Sequence, residues 1–458
     1  MAYYIWKSYK LKVEAVEIFE ALKDKEHYFF LDSSLNAGSL GRYSFLGIDP
    51  FCILSTKDEL PFDQLREKLE KYKISLPGNL PPFCGGAVGY LAYDLGFLLE
   101  KKLKKQTSDN LGIPDCFFGF YNTVIIIDNL KKLLHIVALG IPETRQHLAK
   151  PLANRNFKKI ENLLIKTESS KSKTRSWPKA SSELKSNFSR EGYISAVKKA
   201  KLYIKEGDIY QVNLSQRFQA KTDLSGSTIY QRLRKLSPSY FGAYFDAGDF
   251  QILSSSPERF LRTEGDIVIT RPMKGTRPRG KSKAQDSSLK KELINSAKDK
   301  AELVMIVDLE RNDLGRVCNY DSIKVTALRD LESYKTVYQT TSTIEGKLFR
   351  DKDNLNLLAA CFPGGSITGC PKIRAMEIIE ELEPNRRSVY TGCLGYLSFS
   401  GNMDFNILIR TILKKGKDIY FGAGGGIVTD SVPQKEYEET LVKAGAMMEA
   451  IGCPRSYF

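Results

Sequence analysis

A chain of 458 residues that is 42% hydrophobic has enough apolar mass for a large core, which excludes global disorder and leaves room for two or three domains. Lys and Arg number 69 against 54 Asp and Glu, a formal charge of +15 that points to an anionic partner: nucleic acid, an acidic membrane surface or an acidic small molecule. Eight scattered cysteines with no Cys-x-x-Cys pair, and three histidines, argue against a zinc site.

No window approaches about 18 uncharged apolar residues, and the first 22 residues carry charges throughout rather than a signal-peptide core. The expectation is a soluble cytoplasmic protein with reduced thiols and no membrane partner.

Residues 1–165 mix short strands and helices. Residues 28–32 and 41–47 read as extended pieces, and residues 85–90 as a small-residue turn into a helix. Residues 123–128 and 133–137 read as a hairpin around Asn129-Leu130-Lys131-Lys132. Residues 166–187, rich in Ser, Thr and Lys, read as a linker or flexible loop before a second region, 188–458. Ser189 is placed to cap a helix whose apolar positions Tyr193, Ile194, Val197, Ala200, Tyr203 and Ile204 keep helical spacing. Residues 209–218 alternate as a strand does, and three more short β runs lie between 241 and 270. Residues 298–309, 355–361 and 371–381 read as helices, the last with Pro371 in its first turn. Residues 396–399 and 406–413 read as strands. Ser431 opens a last helix, with Pro433 in its first turn and Gln434 completing a capping box. Strands and helices in mixed order predict an α+β protein with mainly antiparallel sheets.

Several stretches carry chemistry-bearing side chains. Lys274 sits where the extended run 266–270 meets the loop Arg271-Pro272-Met273-Lys274-Gly275-Thr276-Arg277-Pro278-Arg279-Gly280. A lysine among three arginines finds its charged form unfavourable, and a neutral amine is a nucleophile; the alternative is a basic surface loop. Glu436 and Glu439 share one helix face, and Glu302 lies on another helix three residues after Asp299. Converging carboxylates suit a hard cation such as Mg²⁺, or they are solvated helix surface. The glycine-dense turn 422–426 offers backbone N–H groups to a carboxylate, or is only tightly packed. Arg410, in an apolar strand, calls for a bidentate anion, either a ligand or an internal salt bridge. Residues 363–372 enter a helix without Walker spacing. Glu258, after a strand, is a general acid if desolvated and an exposed turn glutamate otherwise.

Taken together, Ser256-Pro257-Glu258, Pro272-Met273-Lys274-Gly275-Thr276, residues 301–313, 364–372 and 424–430, and Glu436 with Glu439 stand in the order and context of the chorismate-utilising enzymes. The chain resembles that family over residues 190–450, and residues 1–165 look like the N-terminal part of anthranilate synthase and aminodeoxychorismate synthase large subunits. The resemblance implies an anthranilate synthase component I-like fold: two mainly antiparallel β-sheets packed as a sandwich, with helices outside. It implies Lys274 and Glu258 as catalytic residues. It implies Mg²⁺ on Glu302, Glu436 and Glu439, and a substrate grip from Arg410, Tyr396, Ser366, Thr276 and the amides of Gly424, Gly425 and Gly426. Leu31-Asp32-Ser33 and Ser239-Tyr240-Phe241 resemble the walls of that family's tryptophan pocket.

Within the family the loop lysine resembles the aminodeoxychorismate synthase branch, where anthranilate synthases carry a small residue. Two displacements, first by the lysine and then by ammonia, bring nitrogen to the carbon that loses its hydroxyl. Gln211 stands where water-activating relatives have lysine, and an amide cannot be that base. Gln339 stands where several relatives have histidine, and Asp299 where some have a second glutamate. No Gly-x-Cys-x-Gly elbow is present, so a separate glutamine amidotransferase partner is expected to deliver ammonia for 4-aminobenzoate and folate synthesis. The neighbouring reading is anthranilate synthase component I. A nucleic-acid partner is not expected, because no RRM, KH or helix-turn-helix signature accompanies the charge.

Overall fold

The computed structural model describes residues 3–35, 38, 40–169, 183–334 and 337–453. Runs of β-branched and aromatic residues form strands whose successive side chains point to opposite faces. Phe29 and Phe30, Ile252 and Leu253, and Leu413 and Ile412 follow this rule: the first of each pair enters one core cluster and the second another. The first cluster also holds Phe118, Leu261, Leu394 and Phe405 from a second sheet, so it is the filling of a sandwich. The second cluster joins the outer face of the first sheet to helix residues such as Phe19, Phe157, Leu233 and Met447. The described strands make two antiparallel sheets, of twelve and ten strands. This is the α+β sandwich with outer helices that the family resemblance implied.

Both sheets draw on both halves of the chain. Tyr43–Gly47 and Asp418–Ile427 belong to the twelve-stranded sheet, Gly86–Leu91 and Cys393–Ser398 to the other. The boundary at 166–187 is therefore one of sequence, not a division between separate sheets. Residues 170–182 lie outside the described residues; helix Gln146–Ser169 precedes them and the short strand Lys185–Ser186 follows. Among the described residues no helix is long and apolar enough to cross a membrane.

Many predicted elements form. Ser189 caps helix Arg190–Glu206 by accepting from Gly192 N at 3.0 Å, and Gly207 ends it at φ +86°. The hairpin Thr123–Asp128 with Leu133–Leu139 is present. Others differ, for identifiable reasons. Residues 85–90 are a strand, Gly86–Leu91, not a turn into a helix; side chains at Gly86 or Gly89 would collide with the Leu397 or Phe117 carbonyl oxygen of the neighbouring strands. The region 241–270 holds four strands rather than three: Phe241–Asp246, Phe250–Ser256, Arg259–Glu264 and Ile267–Arg271. Lys274 is inside a strand, Met273–Pro278, not a loop. The glycines 422–426 are likewise in a strand, Asp418–Ile427. Pro371 is the residue before helix Lys372–Leu382, and the final helix, Pro433–Ala450, has no capping box: Ser431 accepts instead from Val428 N at 3.1 Å.

The apolar run 406–413 is two strands in different sheets. Met403–Ile407 is in the ten-stranded sheet and Thr411–Lys415 in the twelve-stranded one. The chain crosses between them at Leu408, Ile409 and Arg410, with Arg410 at φ +51°. Hydrophobic continuity hid this crossing, because Ile407, Leu408 and Ile409 before Arg410 and Ile412 and Leu413 after it read as one apolar run.

Candidate functional site

Strand Met273–Pro278 ends the pairing order of the ten-stranded sheet, beside Val337–Lys347. Its register shifts between Lys274 and Thr276, at Gly275 with φ +78°. A Cβ at Gly275 would stand 2.9 Å from Leu293 and 3.0 Å from Asp299, so glycine lets helix Ala297–Gly315 approach the strand. The bulge leaves the Lys274 side chain 14% exposed, with Nζ 4.0 Å from Glu302 Oε2. A Cβ built on Gly426 would lie 3.0 Å from that Nζ and 3.1 Å from the Gln211 amide.

The expected reason for a neutral Lys274, crowding by arginines, does not hold. Each arginine has an acidic partner: Arg271 pairs with Glu332 at 2.6 Å, Arg277 with Glu292 at 2.7 Å and Asp299 at 3.1 Å, and Arg279 with Asp286 at 2.7 Å. Lys274 itself faces carboxylates. Asp299, with Arg277 as partner, is part of this support.

Glu258 is 4% exposed, after strand Phe250–Ser256. Burial pushes its pKa up to about 7, against the opposing pull of Ser366, Lys274 and the Met273 N–H. The Ser366 hydroxyl is near enough to act on that carboxyl, yet closes no well-formed hydrogen bond and is buried without a partner. The side-chain oxygens of Gln211 and Gln339 are buried and unpaired too. The Gln339 amide donates to Thr276 Oγ1 at 3.2 Å, which ties Thr276 to the same group. Buried polar atoms are normally satisfied, so orphans gathered around one lysine mark a place for a polar ligand.

Glu436 and Glu439 come from helix Pro433–Ala450. A point above Gly425 lies 3.4 Å from Glu436 Oε2 and 3.5 Å from Glu439 Oε1. Burial raises the Glu436 pKa, and neighbouring Glu439 adds to it. Burial also pushes Glu439 up, but Lys443, Lys274 and Lys298 outweigh it and bring it below the usual value. Glu439 is 52% exposed, so water screens that attraction. Glu302 shares Lys298 at 3.9 Å. Three carboxylates are the donors that Mg²⁺ prefers, and they converge on one lysine cluster. Among the described residues, however, no three acidic, histidine or cysteine side chains stand close enough to form a ready metal site. The donor chemistry fits; Lys274, Lys298 and Lys443 hold the space between the donors.

The Arg410 carbonyl accepts from Ser255 N at 3.1 Å, but its guanidinium makes no ion pair or hydrogen bond among the described residues, so the internal salt bridge is absent there. Burial lowers its pKa, and Tyr334 opposes that shift. The strand that carries Gly424, Gly425 and Gly426 extends past its neighbour, whose pairing stops at Phe421. One edge there lies beyond that neighbour.

Tyr396 is not brought to this group. Its ring packs on Phe83 at 4.6 Å and Phe45 at 5.8 Å, in a separate cavity of about 750 Å³ that also contains Ser33, Tyr240 and Phe241. Ser33 Oγ is 3.0 Å from the Tyr43 and the Tyr240 carbonyl oxygen alike, and its single hydrogen goes to one of them. Ser239 is behind that wall, 1% exposed with an unpaired hydroxyl. Of the two tyrosines in the segment 390–396, Tyr390 lies under the glycine strand, where a side chain at Gly422 would collide with its ring. Which of the two faced that way was not legible without the strand boundary.

Sequence reasoning also missed Glu310 and the Asp313–Lys372 pair at 2.5 Å. Both acids lie within the run 301–313, and only their burial distinguishes them from helix surface.

A family model described as chorismate binding enzyme matches residues 26–449. Anthranilate synthase component 1 of Acetivibrio thermocellus is 38% identical over 456 residues, spanning 95% of this chain and 92% of that protein. Aminodeoxychorismate synthase component 1 of Bacillus subtilis (strain 168) is 35% identical over 449 residues, spanning 94% and 93%. The crystal structure of anthranilate synthase component I from Streptococcus pneumoniae TIGR4 superposes with a TM-score of 0.78 at 31% identity, covering 90% of this chain and 93% of that one. The menaquinone-specific isochorismate synthase of Escherichia coli, at 18% identity and a TM-score of 0.75, shares the fold.

Proposed function

Because the chain belongs to the chorismate binding enzyme family, we propose that it is an aminodeoxychorismate synthase component I, aminating chorismate at C4. The observation that carries this reading is Lys274: a sheltered amine between Glu302 and Gly426, with Glu258 buried beside it. In its free-amine form Lys274 attacks C2 of the ring, both ring double bonds shift (C1=C2 to C1=C6 and C5=C6 to C4=C5), and the C4–O bond breaks as Glu258 gives its proton to the departing hydroxyl, releasing water. Ammonia then attacks C4, both double bonds return to their first positions and the C2–N bond to lysine breaks. The surplus ammonium proton returns to Glu258, so the cycle closes.

Arg410, unpaired among the described residues, suits a bidentate grip on a substrate carboxylate. The unpaired Ser366, Gln211 and Gln339 atoms provide further polar contacts. The glycines 424–426 provide room and backbone amides. Mg²⁺ held by Glu302, Glu436 and Glu439 would supply charge neutralisation for a second carboxylate. The relatives' designation as component 1 supports a separate glutamine amidotransferase that delivers ammonia. The cavity with Ser33, Tyr240 and Phe241 is proposed as the tryptophan pocket.

The second reading, anthranilate synthase component I, is favoured by relatives such as those of Acetivibrio thermocellus and Thermus thermophilus. The two reactions differ in whether pyruvate leaves. Purified chain with chorismate, Mg²⁺ and ammonium, analysed by chromatography and mass, is expected to give a product that keeps the enolpyruvyl group. Release of pyruvate with a fluorescent ortho-amino acid would establish the second reading instead.

A further inference from the structure

Glu310 lies about two turns after Glu302 on helix Ala297–Gly315 and is 8% exposed. Its Oε2 is 2.9 Å from Thr270 Oγ1, and that same hydroxyl is 2.6 Å from the Phe260 carbonyl oxygen. A hydroxyl has a single hydrogen, and a carbonyl oxygen can only accept. That hydrogen can serve one of the two oxygens, and with Phe260 O, the shorter contact, as its acceptor, none is left for Glu310. The contact with Glu310 is then a hydrogen bond if Glu310 supplies the hydrogen, as a carboxylic acid.

The charged surroundings agree. From its own helix Glu310 is faced by Asp313, from helix Lys372–Leu382 by Lys372, from helix Asn354–Cys361 by the Cys361 thiol and from the turn after strand Phe250–Ser256 by Glu258. The cation is already engaged: Lys372 Nζ donates to Asp313 Oδ2 at 2.5 Å and to Cys361 O at 3.1 Å. Burial, and then Glu258, raise the Glu310 pKa well above the usual value, outweighing the pull that a Thr270 hydrogen turned toward Glu310 would exert. Glu310 also borders the turn that carries Ser366, because its Cγ is 3.7 Å from a Cβ position on Gly365.

We propose that Glu310 is a positioning residue for the general acid: an uncharged carboxylic acid that hydrogen-bonds Thr270 and stands behind Glu258, so that Glu258 alone gives up the proton. This rests on the reading of Glu258 as the acid in chorismate amination. When the Glu258 O–H bond breaks and its proton joins the departing hydroxyl, the carboxylate left behind faces a neutral acid instead of a second anion. Glu310 keeps its own proton throughout. Two adjacent carboxyls do not both ionise readily, and this arrangement decides which one does.

Infrared spectroscopy of the full chain across a pH titration tests the protonation without any substrate. Beside the band of buried Asp94, whose pKa burial also pushes up to about 7, two bands of protonated carboxyls are expected: one that fades near neutrality and is missing in Glu258→Gln, and one that outlasts it and is missing in Glu310→Gln. Loss of no protonated band in Glu310→Gln overturns the proposal. Kinetically, Glu310→Gln keeps the amide N–H donor to Thr270 and should retain kcat within about two-fold, whereas Glu310→Ala should lower kcat about ten-fold with little change in KM. An alanine variant with wild-type kcat overturns the positioning role. If the product proves to be the ortho isomer, the infrared result is unaffected, so failure of the functional reading and failure of this inference are distinguishable.

Discussion

Gly426 and Lys274 meet so closely that a Cβ on the one would stand 3.0 Å from the Nζ of the other. The strand Asp418–Ile427 and the bulged strand Met273–Pro278 belong to different sheets, so this contact is made across them. Gly426→Ala should fold, because the group it meets is the tip of a flexible side chain and the Gln211 amide. It should still displace the amine and lower kcat/KM by roughly 10- to 100-fold, or about 1.4–2.7 kcal/mol. Steady-state kinetics beside a melting curve checks both halves.

Replacing Lys274 by Ala removes the proposed nucleophile. Para-directed amination should fall by at least about 1,000-fold, near background. Mass spectrometry of intact wild-type chain quenched during turnover should detect an adduct that the variant lacks. Full para-directed output from Lys274→Ala would defeat the covalent route.

The buried Glu258 makes a pH prediction with a definite sign. Its folded pKa, about 7, is above the ordinary 4.5. As pH rises from 4.5 to 7, the unfolded chain loses the proton and the folded chain keeps it, so stability falls through that window. A difference of about 2.5 units corresponds to about 3 kcal/mol once pH exceeds the folded value. Glu258→Gln should therefore be more stable than wild type at pH 8, by denaturant melts, while losing activity. The wild-type kcat should decline with rising pH through about 7, as the proton donor is lost.

Arg410→Lys keeps the charge and loses the planar fork. KM for chorismate should rise about ten-fold or more, with kcat changed less, because one of two parallel hydrogen bonds to a carboxylate is lost. Equal loss in kcat and kcat/KM would instead show that the guanidinium acts in the transition state alone.

Mg²⁺ should raise the melting temperature of the wild-type chain in a concentration-dependent way, a readout independent of turnover. Glu302→Gln and Glu439→Gln should each abolish the shift. A shift that survives in both variants would move the metal off these carboxylates.

The sequence determined which residue types were present and in what order. Lys274, Glu258, Glu302, Glu436, Glu439, Arg410 and Ser366 could be singled out from residue type and order, and the sandwich came with the family resemblance those motifs carry, since the order of strands and helices indicated only an α+β protein with antiparallel sheets. The tertiary structure decided what surrounds each group. Arg271, Arg277 and Arg279 looked like a cationic crowd along the chain, yet each folds onto an acid of another element: Glu332 in a later strand, Asp299 in helix Ala297–Gly315 and Asp286 in helix Lys283–Asn295. Arg410 looked like a strand residue and is at a crossing between sheets, because hydrophobicity alone does not record where one strand ends. Tyr396, inside strand Cys393–Ser398, lines the separate cavity, whereas Tyr390, before that strand, lies against the glycine strand. Glu310 was invisible among helix acids: burial, and a Thr270 hydroxyl placed between the Phe260 carbonyl and the Glu310 carboxyl, exist only once three separate segments have packed together.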